Sequence, residues 1–596
     1  MLIKLALNGI KSRWKDYLVL FSGLVIASAI FYMFEALATN QNFIKQNTTI
    51  SAAVIIFQLG SILLAIITLV YILYANSFLM TMRQRTYATY MMLGAKSGKI
   101  GQLIFMETLI IGVVATLIGI VVGTGLAYGV GTLLMQRMGG AIHSFQPLYP
   151  LAVFITLAFF MVLFLIAAII NRRQLLKQPI LKLLHSSNTP TAIKHRPVVW
   201  LIEAIVGVLL LATGYWAMVH LGVLGLVLAL VTIVLGSYFV FNALAIWVLS
   251  LLRNAKLASK GLNKFTIAQL TFRIHDYTRL LSMVSILFAL ALGAITVGMG
   301  YYNQIPLMAD NAPDAYDAVV YNPTQAELRT INDLHVKSRS QYTFKTTSGA
   351  VYWNRSEFDK DPLLMVDPER SGLGDVTYVK ADVAKMANPD TNEYLRLRDI
   401  LLPDMRQRDS KVVTAAEFNR VGGPSYQVTA LKVQNFRNDL PTIKALFNSQ
   451  AKRFPQIKQD DGSYKYAFYT QLNGLFSGLE FMGFFLGIAF LAMLASCLMF
   501  KILSGAANDV QRYRMLRKVG ARQKLLHQAI RREVGVLFLL PGILGVIHVL
   551  FGLRMFQAIM VQPYYKIWIP FSIFLVLYAL YYLITTYLYR NIVLRK

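Results

Sequence analysis

Ten apolar runs, each about long enough to cross a bilayer, decide what this 596-residue chain can become. A spanning helix needs roughly 20 predominantly apolar residues. Here the runs lie at about Tyr17–Phe34, Ser51–Met80, Leu103–Met135, Leu148–Ile170, Val198–Met218, Leu221–Leu252, Leu280–Tyr301, Phe481–Phe500, Val534–Met560 and Ile567–Tyr589. In lipid each backbone polar group must be satisfied within the chain, so every run reads as a helix. Upstream of the first run, Leu5, Leu7, Ile10 and Trp14 stand near one helical face and Lys4, Lys11, Arg13 and Lys15 on others, the pattern of an interfacial amphipathic helix. The N-terminus lacks a signal-peptide pattern, so the first run is expected to be retained.

The formal charge of +29 is a statement about topology. Of the 29 acidic residues, 21 lie between Asn303 and Leu472, beside 22 Lys and Arg. The surplus positive charge sits in short connections: Lys4–Lys15, Arg83–Lys99, Arg172–Arg196, Arg253–Arg279 and Lys501–Arg532. Short loops rich in Lys and Arg stay cytoplasmic, so this distribution sets orientation and argues against nucleic-acid binding. With an even number of spans, both termini are expected in the cytoplasm. Cys497 is the single cysteine and lies inside an apolar run, so no disulfide framework exists.

The chain also repeats itself. A shift of 426 positions carries the basic segment Arg83–Glu107 onto the segment beginning at Asp509, placing Tyr87 on Tyr513, Gly94-Ala95 on Gly520-Ala521, Glu107 on Glu533 and Gly119 on Gly545. A shift of 260 carries Leu5–Phe21 onto Phe265–Leu281, pairing Arg13 with Arg273 and Asp16-Tyr17 with Asp276-Tyr277. Two matches in the same order predict a duplicated membrane unit with one cytoplasmic handle per copy. Each handle reads as an amphipathic segment, with Tyr87, Tyr90 and Leu93 on the apolar side of the first and Gly94 ending it. Such a segment fits a groove on a partner, with Arg83 and Arg85 giving acidic contacts; a solvated loop whose charges only set topology is the alternative. The glycines of the third run, among them Gly112, Gly119 and Gly123, stand at spacings that let helices approach closely.

Between the copies lie a basic linker and two closely joined runs, necessarily an antiparallel hairpin. The second copy carries an insertion, residues 302–472, that turns polar at once and is long enough to bury its own core. Strand-like runs occur at Asp317–Tyr321, Gly349–Trp353, Val376–Val379, Lys411–Ala415, Tyr426–Val433 and Lys465–Tyr469, with helical candidates at Thr324–Leu334 and Leu440–Arg453. Seven spans after a cytoplasmic N-terminus put this α+β domain outside the cell. The expected division is therefore 1–175, a first four-helix unit with coupling segment 83–102; 176–264, linker and hairpin; 265–301, amphipathic helix and span seven; 302–472, the outer domain; and 473–596, spans eight to ten with coupling segment 504–530.

Chemistry of other kinds is not written here. Gly94–Ile100 resembles a phosphate loop only superficially, being a residue short between its glycines and carrying Ile where Mg²⁺ ligation needs Ser or Thr. No Walker pattern appears, so the chain is expected not to hydrolyse ATP itself. No histidine pair has metal-ligand spacing, and no G-x-S-x-G turn occurs. Glu107 and Glu533 stand at the cytoplasmic ends of spans three and nine. Pairing with a nearby Arg and helix N-terminal capping are both open, and capping is the simpler account. Glu480, near the outer border, and Arg137 on the same side are candidates for a ligand groove, against a plainer role as solvated anchors.

The R-x-Y…L-G-A…E pattern of Arg85, Tyr87, Leu93, Gly94, Ala95 and Glu107 resembles the FtsX-like (MacB-type) permeases of ABC transporters. The order of four spans, a hairpin and four spans around an outer domain is similar to the ten-span bacitracin-resistance-type permeases of Gram-positive bacteria. The resemblance implies that the coupling residues are Arg83, Arg85, Tyr87, Leu93, Gly94 and Ala95 in one handle and Arg512, Tyr513, Arg514, Gly520 and Ala521 in the other. It implies two copies of a separate ATPase that hold the ATP and Mg, no cofactor or metal on this chain, and a membrane sensor histidine kinase as a further partner. It also implies a peptide antibiotic or a lipid-linked cell-wall precursor as ligand, in contact with membrane lipids. The second handle departs from the pattern, with Val519 in place of Leu and Arg517-Lys518 in place of two methionines. Three other readings stand beside this one: a lipoprotein or lipid extraction permease, which the hairpin argues against, a non-transporting envelope sensor or scaffold, and an envelope enzyme with catalysis in 302–472.

Overall fold

The computed structural model describes residues 2–12, 14–40, 48–138, 145–176, 197–254, 262–310, 315–367, 370–371, 376–459, 465–558, 560 and 562–594. Among them, ten helices are long and apolar enough to cross a membrane, matching the ten apolar runs. The basic linker 177–196 and the tail Arg595 and Lys596 lie outside the described residues.

The chain falls into two compact units, one of residues 1–301 with 477–596 and one of residues 302–476. The first is helical throughout. A short helix α1 (Leu2–Ser12) leads into α2 (Trp14–Thr39), α3 (Thr48–Met92), α4 (Ser97–Met138) and α5 (Pro150–Leu176). The hairpin is α6 (Pro197–His220) against α7 (Gly222–Phe239), which passes through a π-turn, Val240–Leu244, into α8 (Ala245–Asn254). The second copy is α9 (Asn263–Asp310), α10 (Lys465–Lys518), α11 (Gln523–Gly552) and α12 (Trp568–Val593). In α1, Ala6 is buried while Leu5 and Leu7 are exposed. The residue packed inward is therefore the small one, and the larger apolar side chains are left for lipid.

The duplication is legible in the packing. Gly119 of α4 brings that helix against α2, where an added Cβ would stand 3.1 Å from the Val25 carbonyl and collide with Ser28. At the equivalent crossing in the second copy Gly545 faces Phe288, whose Cβ would lie 2.9 Å from an added Cβ. Ser28 and Phe288 are related by the 260 shift, and the two glycines by the 426 shift, so both registers hold in one helix pair. Contact between the copies is also close: Tyr71 of α3 bonds the Ser496 hydroxyl of α10 at 2.9 Å, and Ser496 donates to the Val19 carbonyl of α2 at 2.7 Å. Pro541 sits inside α11 without ending it. Helices at membrane depth absorb a proline when neighbours re-satisfy the freed carbonyl.

The second unit is built on a five-stranded sheet in the order β1 (Ala318–Tyr321), β7 (Ser425–Val433), β2 (Val336–Thr346), β3 (Ala350–Asn354) and β6 (Asp409–Val413). All pairings are antiparallel except β3 with β6. A small pair, β4 (Leu364–Val366) and β5 (Tyr378–Lys380), stands apart. Tyr342, Phe344, Trp353 and Phe358 form the centre of the main core, each fully buried. The expected strand at Lys465–Tyr469 is instead the first turn of α10. Tyr466 packs on Phe447 and Tyr469 on Phe436, so the segment uses a three-residue helical spacing that a five-residue run cannot reveal. Sequence reading missed β2, although Ser340, Tyr342, Phe344 and Thr346 alternate inward along it.

Glu327 ties this unit together. It closes a capping box with Thr324 at the start of helix Gln325–Asn332 and accepts from Ser449, Gln450 and Arg453 of helix Leu440–Arg453, at 2.8 to 2.9 Å. Although burial opposes its charge, the Thr324 amide, with Ser449, Gln450 and the Thr324 hydroxyl, holds its carboxyl below the ordinary carboxylate range. A depressed folded pKa means stability that is present above the ordinary carboxylate pKa and lost as pH falls through the folded value. Amide protection factors in helix Leu440–Arg453 should therefore fall on acidification toward pH 4 and below, and Glu327→Gln should lower them at neutral pH too. Unchanged protection in that variant would show that the carboxylate contributes nothing.

Candidate functional site: paired turns over buried charge clusters

Each handle is a helix hairpin, and the two are alike to the hydrogen bond. α3 ends with Gly94 at φ +93°, while Ala95 N–H donates to the Tyr90 carbonyl and Gly94 N–H to that of Met91, at 3.0 and 3.1 Å. α10 ends with Gly520 at φ +94°, while Ala521 N–H donates to Leu516 and Gly520 N–H to Arg517, at the same two distances. This is a Schellman motif, in which a left-handed residue lets the last carbonyls fold back onto amides. Nothing stands within 4 Å of an added Cβ at either glycine. The glycines are needed for their backbone conformation alone, worth roughly 1–2 kcal/mol.

What the turns display differs from what the periodicity implies. Leu93 is 80% exposed and Val519 87%, with Met92 and Met515 also exposed beside them. Tyr87, expected on the apolar side of the first handle, is instead buried, and so is its repeat partner Tyr513. Arg83, expected to reach a partner's acids, is likewise buried and paired within the chain. The long helices turn these positions inward against the start of the next helix, and only the last turn projects. Arg512 and Arg514 are exposed, Tyr90, Ala95 and Ala521 are partly buried, and the side chain of Arg85 lies outside the described residues.

Beneath each turn lies a charged cluster. In the first copy, Arg83 of α3 is ion-paired with Glu107 of α4, Tyr87 donates to the same carboxylate at 3.1 Å, and the guanidinium lies over the Tyr87 ring at 5.0 Å. Gly9 of α1 sits against it: an added Cβ would come 2.7 Å from Arg83 Nη2. Glu107 lies eleven positions into its helix numbering from Ser97, and Glu533 ten after Gln523, both buried. Neither is a helix N-terminal cap; each is an interior partner for an arginine and a tyrosine.

The second cluster draws on all four helices of its copy. Arg273 of α9 pairs with Asp509 of α10, stands 2.7 Å from Glu533 of α11, and donates to Tyr589 of α12 at 2.7 Å. Tyr589 donates onward to Asp509 at 2.8 Å, and Tyr513 to Glu533 at 3.0 Å. Arg273, Asp509 and Tyr589 were missed in the sequence. The signal was a charge reversal: the 426 shift places Arg83 on Asp509, so the second copy must take its cation from elsewhere, and the 260 shift marks Arg273. Both clusters join the helix entering a turn to the helix leaving it.

Two further assignments remain. The side chain of Arg137 lies outside the described residues; Glu480 is half-buried on α10, where that helix meets α9 beside Gly298. Glu203 of α6 accepts from Asn242 of the π-turn at 2.9 Å, which fixes the hairpin. Among the described residues no three His, Cys, Asp or Glu side chains gather as a metal site.

The FtsX-like permease C-terminal family matches residues 58–180, a stretch that takes in the first turn, the Arg83–Glu107 cluster and the helices on either side. The chain carries an FtsX-like permease domain. The chain is 23% identical to the ABC transporter permease protein YxdM of Bacillus subtilis, over 82% of this chain and 83% of that one. It is 21% identical to the bacitracin export permease protein BceB of the same organism, over 98% and 97%. A further relative, BceB of Halalkalibacterium halodurans, is 20% identical over 92% of each. The ten long apolar helices make the chain a multi-pass membrane protein, and the relatives it matches are named as ABC transporter permeases or bacitracin export permeases. Its relatives are transport components rather than enzymes.

Proposed function

We propose that the two turns dock on two copies of a separate ATPase, and that ATP-driven movement passes through the buried clusters into the helices. The observation that carries this is the pair of matching Schellman turns, each presenting one highly exposed apolar residue, Leu93 or Val519, above a cluster that binds two helices together. An apolar anchor with a basic rim suits a partner groove. Exposed Arg514 supplies that rim at the second turn, beside Arg512, which is exposed but also pairs with Asp509 at 3.5 Å. Both turns and both termini then face the cytoplasm, following the positive charge of the short loops, and residues 302–472 face outward from a Gram-positive plasma membrane.

The activity this serves is resistance to peptide antibiotics, by freeing lipid-linked cell-wall precursors from them, together with reporting to a membrane sensor kinase. Relatives named for bacitracin export support the ligand class. In a purified permease–ATPase complex in lipid, a bacitracin-type peptide together with its lipid-linked target should change the ATPase rate several-fold. A rate indifferent to peptides would move the reading to lipoprotein or lipid extraction.

A further inference from the structure

The hairpin and α11 enclose a cleft of about 820 Å³ that neither turn nor cluster uses. Its walls are apolar, including Leu211, Phe241, Leu249, Leu540 and Ile547. The hairpin is held at a fixed position by His548 of α11, whose Nδ1 bonds Tyr215 of α6 at 2.6 Å and whose Nε2 bonds Ser237 of α7 at 3.1 Å. Tyr215 also stacks on Phe551 at 4.4 Å. Two polar contacts from one imidazole, one to each hairpin helix, keep the cleft from collapsing.

One residue of the lining carries a full charge. Arg554 stands just past the end of α11 remote from the Gly520 turn, in the 3₁₀ segment Leu553–Ala558, is exposed, and has no ion pair or hydrogen bond among the described residues. Exposed Trp216, Tyr564, Tyr565 and Trp568 flank the ends of the helices at that side, the belt that marks a membrane–water interface. From Val536 to Gly552 α11 rises about 24 Å at 1.5 Å per residue and the 3₁₀ segment carries the lining on to Arg554, nearly the ~30 Å of bilayer hydrocarbon. The internal repeat supplies a comparison. The 426 shift places Arg554 on Tyr128 and Ile543 on Leu117, and that face of α4 is exposed apolar surface with tyrosine in place of the cation.

From this we infer that the cleft is a binding site for an anionic glycerophospholipid, its acyl chains in the cleft and its phosphate on Arg554. The cation at the interfacial end supplies the charge complementarity, and the second copy alone combines it with a hairpin wall. The site is independent of the antibiotic reading, since its lining uses neither turn and neither charged cluster. It would couple the hairpin to α11 and hence to the second turn.

The test uses the intact permease–ATPase complex, stripped of lipid and titrated with phosphatidylglycerol or phosphatidylcholine of the same chains, with bound lipid counted by native mass spectrometry. One phosphatidylglycerol should bind roughly tenfold more tightly than phosphatidylcholine, and Arg554→Gln should remove that difference, as expected for loss of a charge-assisted contact. Ile543→Trp, which fills the cleft, should lower occupancy of both lipids, whereas Tyr128→Arg should add no second site. Equal binding of the two lipids, or a preference that survives Arg554→Gln, would overturn the assignment. So would tighter binding of a polyprenyl phosphate that displaces phosphatidylglycerol, or a photocrosslinker at Leu539 that captures a protein helix instead of lipid.

Discussion

Arg273→Met should destabilise the permease by about 3–5 kcal/mol, the usual consequence of removing one partner from a buried charged pair. The reason is local. Asp509 and Glu533 are both buried, and Arg273 is the cation that faces both. Without it Glu533 loses its close cation and Asp509 keeps only the exposed Arg512, at 3.5 Å, and the hydrogen bonds of Tyr513 and Tyr589 cannot neutralise the two buried carboxylates. Arg83→Met leaves one carboxylate, Glu107, with Tyr87 still donating to it, so its effect should be smaller. Thermal unfolding in one detergent would rank the two variants. The triple change Arg273→Met, Asp509→Leu, Glu533→Leu should recover much of the loss, because apolar groups of similar size often replace a buried ionic cluster at little cost. If Arg273→Met melts with the unaltered protein, the cluster is not what binds the four helices.

Leu93→Asp combined with Val519→Asp should leave the fold intact and abolish ATPase association. Both positions are exposed, so the substitutions bury no charge within the chain. An apolar anchor at the centre of a docking site typically contributes 2 kcal/mol or more, so each change should weaken association at least roughly thirtyfold. The single variants separate the two turns. If both dock, each alone should leave the complex with one ATPase. Binding at full strength by the double variant would show that the ATPase engages some other surface.

The membrane architecture was legible because its physics is one-dimensional: a run of about 20 apolar residues in lipid has only the helix open to it. The repeat was legible through Gly94, Gly520 and the pair Glu107 and Glu533, since a left-handed turn and a buried acid tolerate few substitutes. The inward direction of Tyr87 and Tyr513 was not. Amphipathic periodicity says that one face is apolar, but not whether a partner or the chain itself covers it. Arg273 was hidden for a related reason: it acts from a different helix than its counterpart Arg83, and only the folded bundle brings α9 to α10, α11 and α12. In the second unit, β2 was obscured by its charged outward residues, and Lys465–Tyr469 passed for a strand because five residues do not distinguish a period of two from one of 3.6.

The measurement that bears most directly on the proposed docking of two ATPase copies is the mass of the complex purified through a tag on this chain from its native cells in mild detergent. The account predicts one permease with two copies of a single ATPase, falling to one copy in either Leu93→Asp or Val519→Asp. A permease that emerges with no ATPase, from a preparation in which other membrane complexes stay whole, would contradict it.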